Sequence, residues 1–462
     1  MTQHDPDHVS EKPVLLIAAF ASFITPFMAS SVHIALPSIG REFSMTAVML
    51  GWVATAYILA SAIFLVPFGK GADIYGRKRV FLAGMVLYTA ASFLCAIAPS
   101  AALLIAFRVL QGIGASMIFG TSIAILVSVI PAGERGRALG ITTAAVYLGL
   151  SLGPVFGGFL TQHFGWRSIF LVSVPLGLFE IALIEWKLKG EWRELKGERF
   201  DAPGAALYGI ALASLMYGFA SLPSPAGIWL LCAGTLGLGA FVFWEMRARS
   251  PLVPVDLFAR NRVFAFSNLA ALVNYSASSA VTFLMSLYLQ YSKALTPQNA
   301  GIVLVSQPLV MAVCSPFAGR LSDRIESRIV ASAGMALTAI ALLLFVFVQA
   351  GTALVAIIAN LMLLGLGFAL FSSPNSNAIM GSVQPRFYGV ASATLATMRM
   401  TGQMLSMGIA MLIFAVNIGG VQITPEYHGQ FLTSFKTAFI IFSALSFSGI
   451  FASLARGNVR AA

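Results

Sequence analysis

The chain has 462 residues, of which 58% are hydrophobic and only 10% charged. A water-soluble fold cannot bury that much apolar surface, so lipid is the solvent for most of the chain. The net charge of +11 would point to nucleic acid in a soluble protein, but in a membrane chain it reads as basic residues gathered in cytoplasmic loops, and no nucleic-acid partner is expected.

Residues 1–12 are polar and are expected to form a disordered cytoplasmic tail, with no cleavable signal evident. A bilayer-spanning helix needs about 20 apolar residues. Fourteen segments meet that measure: roughly 13–36, 50–69, 79–98, 102–130, 137–162, 167–187, 203–221, 226–246, 263–291, 298–319, 329–349, 353–381, 388–417 and 433–455. An even number places both termini on one side. With the N-terminus inside, Arg41, Arg167, Lys293 and Lys436 fall outside or at outer helix ends. Arg108 and Arg399 lie within helices, and the other 22 of the 28 basic residues are cytoplasmic. That 22-to-4 asymmetry sets the orientation, with both termini cytoplasmic.

Six helices precede KLKGEWRELKGERFD (Lys187 to Asp201), two follow it, and six more follow RARSPLVPVDLFARNR (Arg247 to Arg262). The expected organisation is an N-terminal six-helix bundle over 13–187, linkers and two inserted, peripheral helices over 188–262, a C-terminal six-helix bundle over 263–455, and a cytoplasmic tail over 456–462. The charged stretch carries Trp192 and Leu195, so it lies on the membrane surface or forms a solvated linker. Cys95, Cys232 and Cys314 fall in apolar runs without metal spacing and read as packing residues; no metal site is expected.

One short motif occurs twice, 250 residues apart: GKGADIYGRKR (Gly69 to Arg79) and GRLSDRIESR (Gly319 to Arg328). Each is a tight charged turn between two spans, and a membrane chain whose second half repeats its first is most simply a two-bundle transporter. Gly69 and Gly76 permit a tight turn and close helix approach. Asp73 can accept bonds from an arginine or a helix N-terminus. The fifth span carries GLSLGPVFGG, in which Gly149, Gly153 and Gly157 recur every four residues and keep one face bare. Pro154 there removes a backbone donor.

These motifs, with FRVLQGIGAS in the fourth span and GWRSIFLVSVPLG at the sixth, resemble the major facilitator superfamily, and within it the fourteen-helix drug:proton antiporters. The matching positions are Gly69, Asp73, Gly76, Arg77 and Lys78 in the first loop, Arg108, Gln111, Gly112 and Gly114 in the fourth span, and Gly149, Gly153, Pro154, Gly157 and Gly158 in the fifth. The resemblance implies two bundles that rock about a central cavity. It also implies a latch at Gly69, Asp73, Gly76 and Arg77 (with its second copy at Asp323 and Arg324) that favours the outward-facing state. It implies that the bare glycine face of the fifth span lines the sliding contact between bundles, and that the protein is an exporter.

An ionisable residue inside a membrane helix faces a cavity or a partner by default. Arg108 and Gln111 share one helix face, Arg399 lies roughly 11 residues into its helix near the midplane, and Asn274, Gln307 and Asn375 are further polar candidates for a substrate cavity. Tyr57 and Tyr147 read as packing. The family usually has an acid in helix 1 ahead of Asn-x-Ala-Leu-Pro; here Ala35-Leu36-Pro37 places Met28 at the acid position and His33 at the asparagine. Proton exchange needs a titratable group, which leaves His33 and Glu180, the latter on a peripheral helix and expected to face the inserted pair or the lipid. The expected cavity is basic or neutral and suits anionic or amphiphilic compounds.

The reading is an all-α integral membrane protein of the cell (inner) membrane, a monomeric secondary transporter of small molecules in contact with lipid. It exports lipophilic or amphiphilic compounds by alternating access, with proton antiport implied by the resemblance. The rivals are a lipid, organic-anion or metabolite carrier with atypical coupling, and a non-transporting sensor or scaffold. No nucleotide loop, metal cluster or nucleophile–base pair marks an enzyme, and no cofactor is expected.

Overall fold

The computed structural model describes residues 11–131, 134–195, 197–248, 250–253, 255–384 and 388–457. Among them are fourteen helices long and apolar enough to span a bilayer. They are α1 (Glu11–Glu42), α2 (Ala47–Tyr75), α3 (Arg77–Ala96), α4 (Ala101–Val129), α5 (Arg135–Phe164), α6 (Arg167–Lys187), α7 (Ala202–Ser221), α8 (Pro225–Glu245), α9 (Arg262–Ser292), α10 (Pro297–Ser322), α11 (Ser327–Val346), α12 (Leu354–Gly381), α13 (Tyr388–Asn417) and α14 (His428–Ala455). The face that carries Glu11 and Ala455 is called terminal below, and the opposite face distal.

Local sequence sets the helix starts. Thr46, Ser100, Asp201, Ser224, Asn261 and Thr296 each accept a backbone N–H from the first turn of α2, α4, α7, α8, α9 and α10. Proline stands in the first turn of α7, α8 and α10, where no intrahelical donor is lost. Gly76 alone separates α2 from α3, at φ +126°, a conformation that excludes a Cβ.

The duplication seen in the loops is structural. In the first bundle α1 packs on α5, α3 on α4, α2 on α4 and α3 on α6. In the second, α9 packs on α13, α11 on α12, α10 on α12 and α11 on α14. Both bundles have a close crossing at the same place: a Cβ on Gly114 would stand 2.7 Å from the Tyr88 nitrogen, and one on Gly334 would stand 2.5 Å from the Phe371 nitrogen. The second bundle is less regular. The α9 helix breaks at Ser279–Ala280 and winds into a π turn over Tyr288–Ser292, and α10 is interrupted at Val305.

Several expectations change. Of the inserted pair, α8 packs on α7 and presents Trp229 and Leu236 outward, each 74% exposed in the absence of lipid. But α7 is not peripheral: it lies against both α2 and α13, with Met216 and Tyr208 clustered with Ala62, Met404 and Met411, and so bridges one seam between the bundles. Glu180 faces neither lipid nor that pair, because α6 packs on α3 and α1 and leaves Glu180 0% exposed. The expected polar tails begin later than foreseen: Glu11 is already helical, and Arg456 is buried, donating to Asn375 and Ser267.

Candidate functional site

Hydrogen bonds between the bundles cluster in the distal half. His163 meets Gln298 at 3.2 Å, the Gln298 N–H donates to Gln162, Ser286 donates to the His33 carbonyl at 2.7 Å and Gln290 to the Ile34 carbonyl at 3.0 Å. Gln422 donates to the Ser44 carbonyl, and the Ala47 N–H to the Val421 carbonyl. The glycines divide in the same way. A Cβ on Gly301 would stand 2.0 Å from the Pro154 oxygen, one on Gly158 2.5 Å from the Pro297 oxygen, and one on Gly51 2.7 Å from Met411. At the terminal ends of α2, α5 and α13, a Cβ on Gly69, Gly136, Gly140 or Gly389 would meet nothing within 4 Å. The two bundles are thus pressed together distally, while these terminal-end glycines have free space around them.

The motif glycines of α5 sort by face. Gly149, Gly153 and Gly157 lie four residues apart and meet α1 of the same bundle, at Phe23, Phe27 and Ser31. They do not form the contact between bundles that was expected of them. Pro154 and Gly158, one residue further round, carry that contact against α10. The reason is the helical period, which turns the next residue by about 100°.

Midway along their helices, four side chains from both bundles meet: Tyr147 of α5, Tyr275 of α9, Met311 of α10 and Phe368 of α12. Tyr275 and Phe368 form an edge-to-face pair at 5.2 Å. Arg399 of α13 reaches the same layer. Its guanidinium carbon is 5.6 Å from the Tyr275 ring centre, Nη2 donates to Ser376 at 3.1 Å, and Nε is buried without a partner. The sequence reading picked out Arg399 and assigned Tyr147 to packing; it passed over Tyr275, Met311 and Phe368. Their common depth along four helices was the available signal.

The other predicted cavity residues lie elsewhere in this conformation. Arg108 is 1% exposed inside the first bundle, donating to the Val53 carbonyl at 3.0 Å and to Gln111, with Tyr57 under its guanidinium at 4.4 Å. Gln111 in turn donates to Ser92 at 2.7 Å. Asn274 is fully buried, with neither amide atom bonded. Asn375 ties Ser267 to Arg456. Gln307 is partly exposed, and its backbone carbonyl abuts Gly365. Met28, at the family's acid position, is 0% exposed. His33 lies at the distal seam, its ring 6.4 Å from Phe283 and its Nδ1 buried without a partner. Both carboxylate oxygens of Glu180 are buried and unbonded.

The loop between α2 and α3 is strapped by the linker after α6, which neither floats in solvent nor lies apart on the membrane. The Leu195 N–H donates to the Asp73 carbonyl, and the Arg77 N–H to the Trp192 carbonyl. Glu191 accepts the Lys78 N–H at 2.9 Å. Arg77 is held by Asp73 at 2.7 Å and by Glu194 at 2.9 Å. Glu198 pairs with Lys70 at 2.9 Å; the Lys70 and Ser250 hydrogen bonds hold its carboxyl below the usual carboxylate range. In the second copy of the motif, the side chain of Asp323 lies outside the described residues; Arg324 is at the terminal end of α10's helix.

Comparison with known proteins agrees with this architecture. The sequence profile of the Major Facilitator Superfamily matches residues 18–244 and 268–460. The chain belongs to that superfamily. It is 30% identical to the riboflavin transporter RibZ of Clostridioides difficile (strain 630) over 440 residues, which covers 95% of each chain. It is 31% identical to the multidrug resistance protein Stp of Mycobacterium tuberculosis (strain CDC 1551 / Oshkosh), over 86% of this chain and 74% of the relative. It is 32% identical to the cephamycin export protein CmcT of Amycolatopsis lactamdurans, over 88% and 85%. A bacterial homologue of the human lysosomal transporter Spinster, solved in an inward-facing and unoccupied conformation, superposes with a TM-score of 0.67 at 15% identity, over 96% of this chain and 97% of that one. The fold is therefore that of a superfamily transporter, with two bundles that meet along a seam.

Proposed function

We propose that this protein exports lipophilic or amphiphilic small molecules by alternating access, with its terminal face in the cytoplasm and the structure in the inward-open state. The observation that carries the reading is the tight distal seam at Gly51, Gly158 and Gly301, set against the free space around Gly69, Gly136, Gly140 and Gly389 at the terminal helix ends. Orientation follows from the excess of basic residues in the loops of the terminal face. Export is favoured by the fifth-span motif and by two relatives whose names describe resistance or export.

In the transport cycle the distal bonds of α5 with α10 and of α1 with α9 break, and the terminal ends of α2, α5 and α13 come together. Asp73 and Arg77 are engaged here by each other and by Glu194. Closing the cytoplasmic side then requires this pair to turn toward the second bundle, which makes the linker a competitor of the latch. His33 and Glu180 are the titratable groups of the first bundle's interior left for proton exchange. His33 sits on the seam that must open, and Glu180 is enclosed within its bundle. Met28 in place of the acid favours a second reading, a carrier of organic anions without proton coupling.

Reconstitution in liposomes tests the proposal. Efflux of a panel of amphiphiles, driven by an imposed pH gradient and followed with a proton-sensitive dye, separates coupled from uncoupled transport. His33→Ala and Glu180→Gln identify the coupling group. A protein that moves no compound in either direction, with Asp73→Asn and Gly153→Leu affecting only partner binding, would leave a sensor or scaffold.

A further inference from the structure

The mid-membrane layer has a chemistry of its own. At about 1.5 Å per residue, Tyr147 lies about 18 Å from the terminal end of α5. By the same count Tyr275 and Phe368 lie about 20 Å, and Met311 and Arg399 about 17 Å, from the terminal ends of their helices. One arginine, three aromatic rings and a thioether thus share one level, to which both bundles contribute. Tyr147, Tyr275 and Phe368 are each 8% exposed and Met311 5%, so the layer is nearly closed over by its neighbours and a ligand must part the rings to enter it.

Charge is not balanced there. Among the described residues, neither Arg399 nor Arg108 has a carboxylate partner. Ser376 satisfies one nitrogen of Arg399, while Nε is buried and unpaired. A guanidinium at this depth normally finds an acid or a set of oxygens; Arg399, partly exposed as a residue, keeps one buried donor without a partner beside the aromatic rings. An organic cation entering the layer would meet that charge at close range, whereas a carboxylate or sulfonate would complete its hydrogen bonds.

Building on the transporter reading above, we propose that this layer binds aromatic anions, with the flat ring of the ligand against Tyr147, Tyr275, Phe368 and Met311 and its acid group on Arg399. The thioether and the edge-to-face pair suit a planar π system of varied outline, and the arginine fixes its polar end.

The test uses purified full-length protein and three ligands of one shape: 2-naphthoate, 2-naphthamide and trimethyl(2-naphthyl)ammonium, by equilibrium dialysis in detergent. The expected order is naphthoate first, by roughly tenfold over the other two. Arg399→Gln should abolish the preference while leaving naphthamide binding within about twofold, Arg399→Lys should restore part of it, and Tyr275→Leu should weaken all three. Thermal unfolding of each variant verifies that it is folded. Equal or tighter binding of the ammonium compound, or an unchanged preference in folded Arg399→Gln, overturns the inference. Liposome flux of naphthoate is read separately. Binding with the predicted preference but no flux would contradict the transporter reading alone. Flux without charge preference would contradict the aromatic-anion site alone.

Discussion

A single methyl group at Gly301 should shift the conformational balance of the whole molecule. Its Cβ would stand 2.0 Å from the Pro154 oxygen and 2.8 Å from the Pro154 carbonyl carbon, both rigid backbone atoms of the other bundle. Ordinary Cβ contacts do not fall below 3.0 Å, so α5 and α10 must separate by about 1 Å or more at this point. Overpacking of this kind costs about 1–3 kcal/mol. It is charged only to the state in which the distal halves meet, so the population of the distally open state should rise about 5- to 150-fold. The assay is thiol labelling of Phe283→Cys, a residue 0% exposed beneath the seam. The background has Cys95, Cys232 and Cys314 replaced, and the reagent is a membrane-impermeant maleimide applied from the distal side. Gly301→Ala should label faster by the same factor. Gly140→Ala, whose methyl would meet nothing within 4 Å, should label like the parent. Unchanged labelling in Gly301→Ala, or equal acceleration in Gly140→Ala, would refute the reasoning.

Three further outcomes are expected. Arg108→Leu should lower the thermal unfolding midpoint in detergent, because the Val53 carbonyl and the Gln111 amide oxygen lose their donor in a dry interior, at about 1–3 kcal/mol each; a parental midpoint would remove Arg108 from the list of structural residues. Glu180→Met should fold and melt at or above the parental temperature, since it replaces a buried carboxyl with no partner by an apolar chain of similar length, and a clear drop would mean that Glu180 is held by a bond. The linker strap should loosen in acid: the depressed pKa of Glu198 means that its pairing with Lys70 is present above the usual value of 4.5 and is lost only as pH falls below it. Hydrogen exchange of the Leu195 amide, compared between parent and Glu198→Gln at neutral and acid pH, reads this directly: the variant should exchange faster at neutral pH, and the difference should vanish in acid.

The architecture was legible in the sequence because two constraints act on every residue of a membrane chain. Helices must be long and apolar enough to cross the bilayer, and the GKGADIYGRKR and GRLSDRIESR turns mark the same place, after the second helix, in each of two six-helix sets. The site was only half legible. Arg399 stood out because charge at mid-membrane is expensive. Tyr275, Met311 and Phe368 did not, because on one sequence an aromatic or thioether facing a cavity looks like one facing a neighbouring helix. Arg108 drew attention by the same rule as Arg399, and its pairing with Gln111 follows from spacing, but the Val53 carbonyl and Tyr57 ring come from α2 and cannot be read that way. Glu180 was assigned to the outer side of α6; that helix does present Leu178, Phe179 and Trp186 outward, but Glu180 falls on its inner face against α3 and α1, and the inserted pair docks on α2 and α13. The sorting of Gly149, Gly153 and Gly157 onto α1 and of Gly158 onto α10 depends on which neighbour occupies each face, and helical period alone leaves that open.

Spin-label distances across the seam at both faces test the central account most directly. One pair of labels, at Arg137 and Val390, reports the terminal opening; a second, at Phe164 and Gln298, reports the distal seal. In the resting protein the terminal pair should be far apart and the distal pair close, and a bound substrate or an imposed pH gradient should move the two distances in opposite directions. Distances that stay fixed under every condition, or that lengthen and shorten together, would contradict alternating access by rocking of the two bundles.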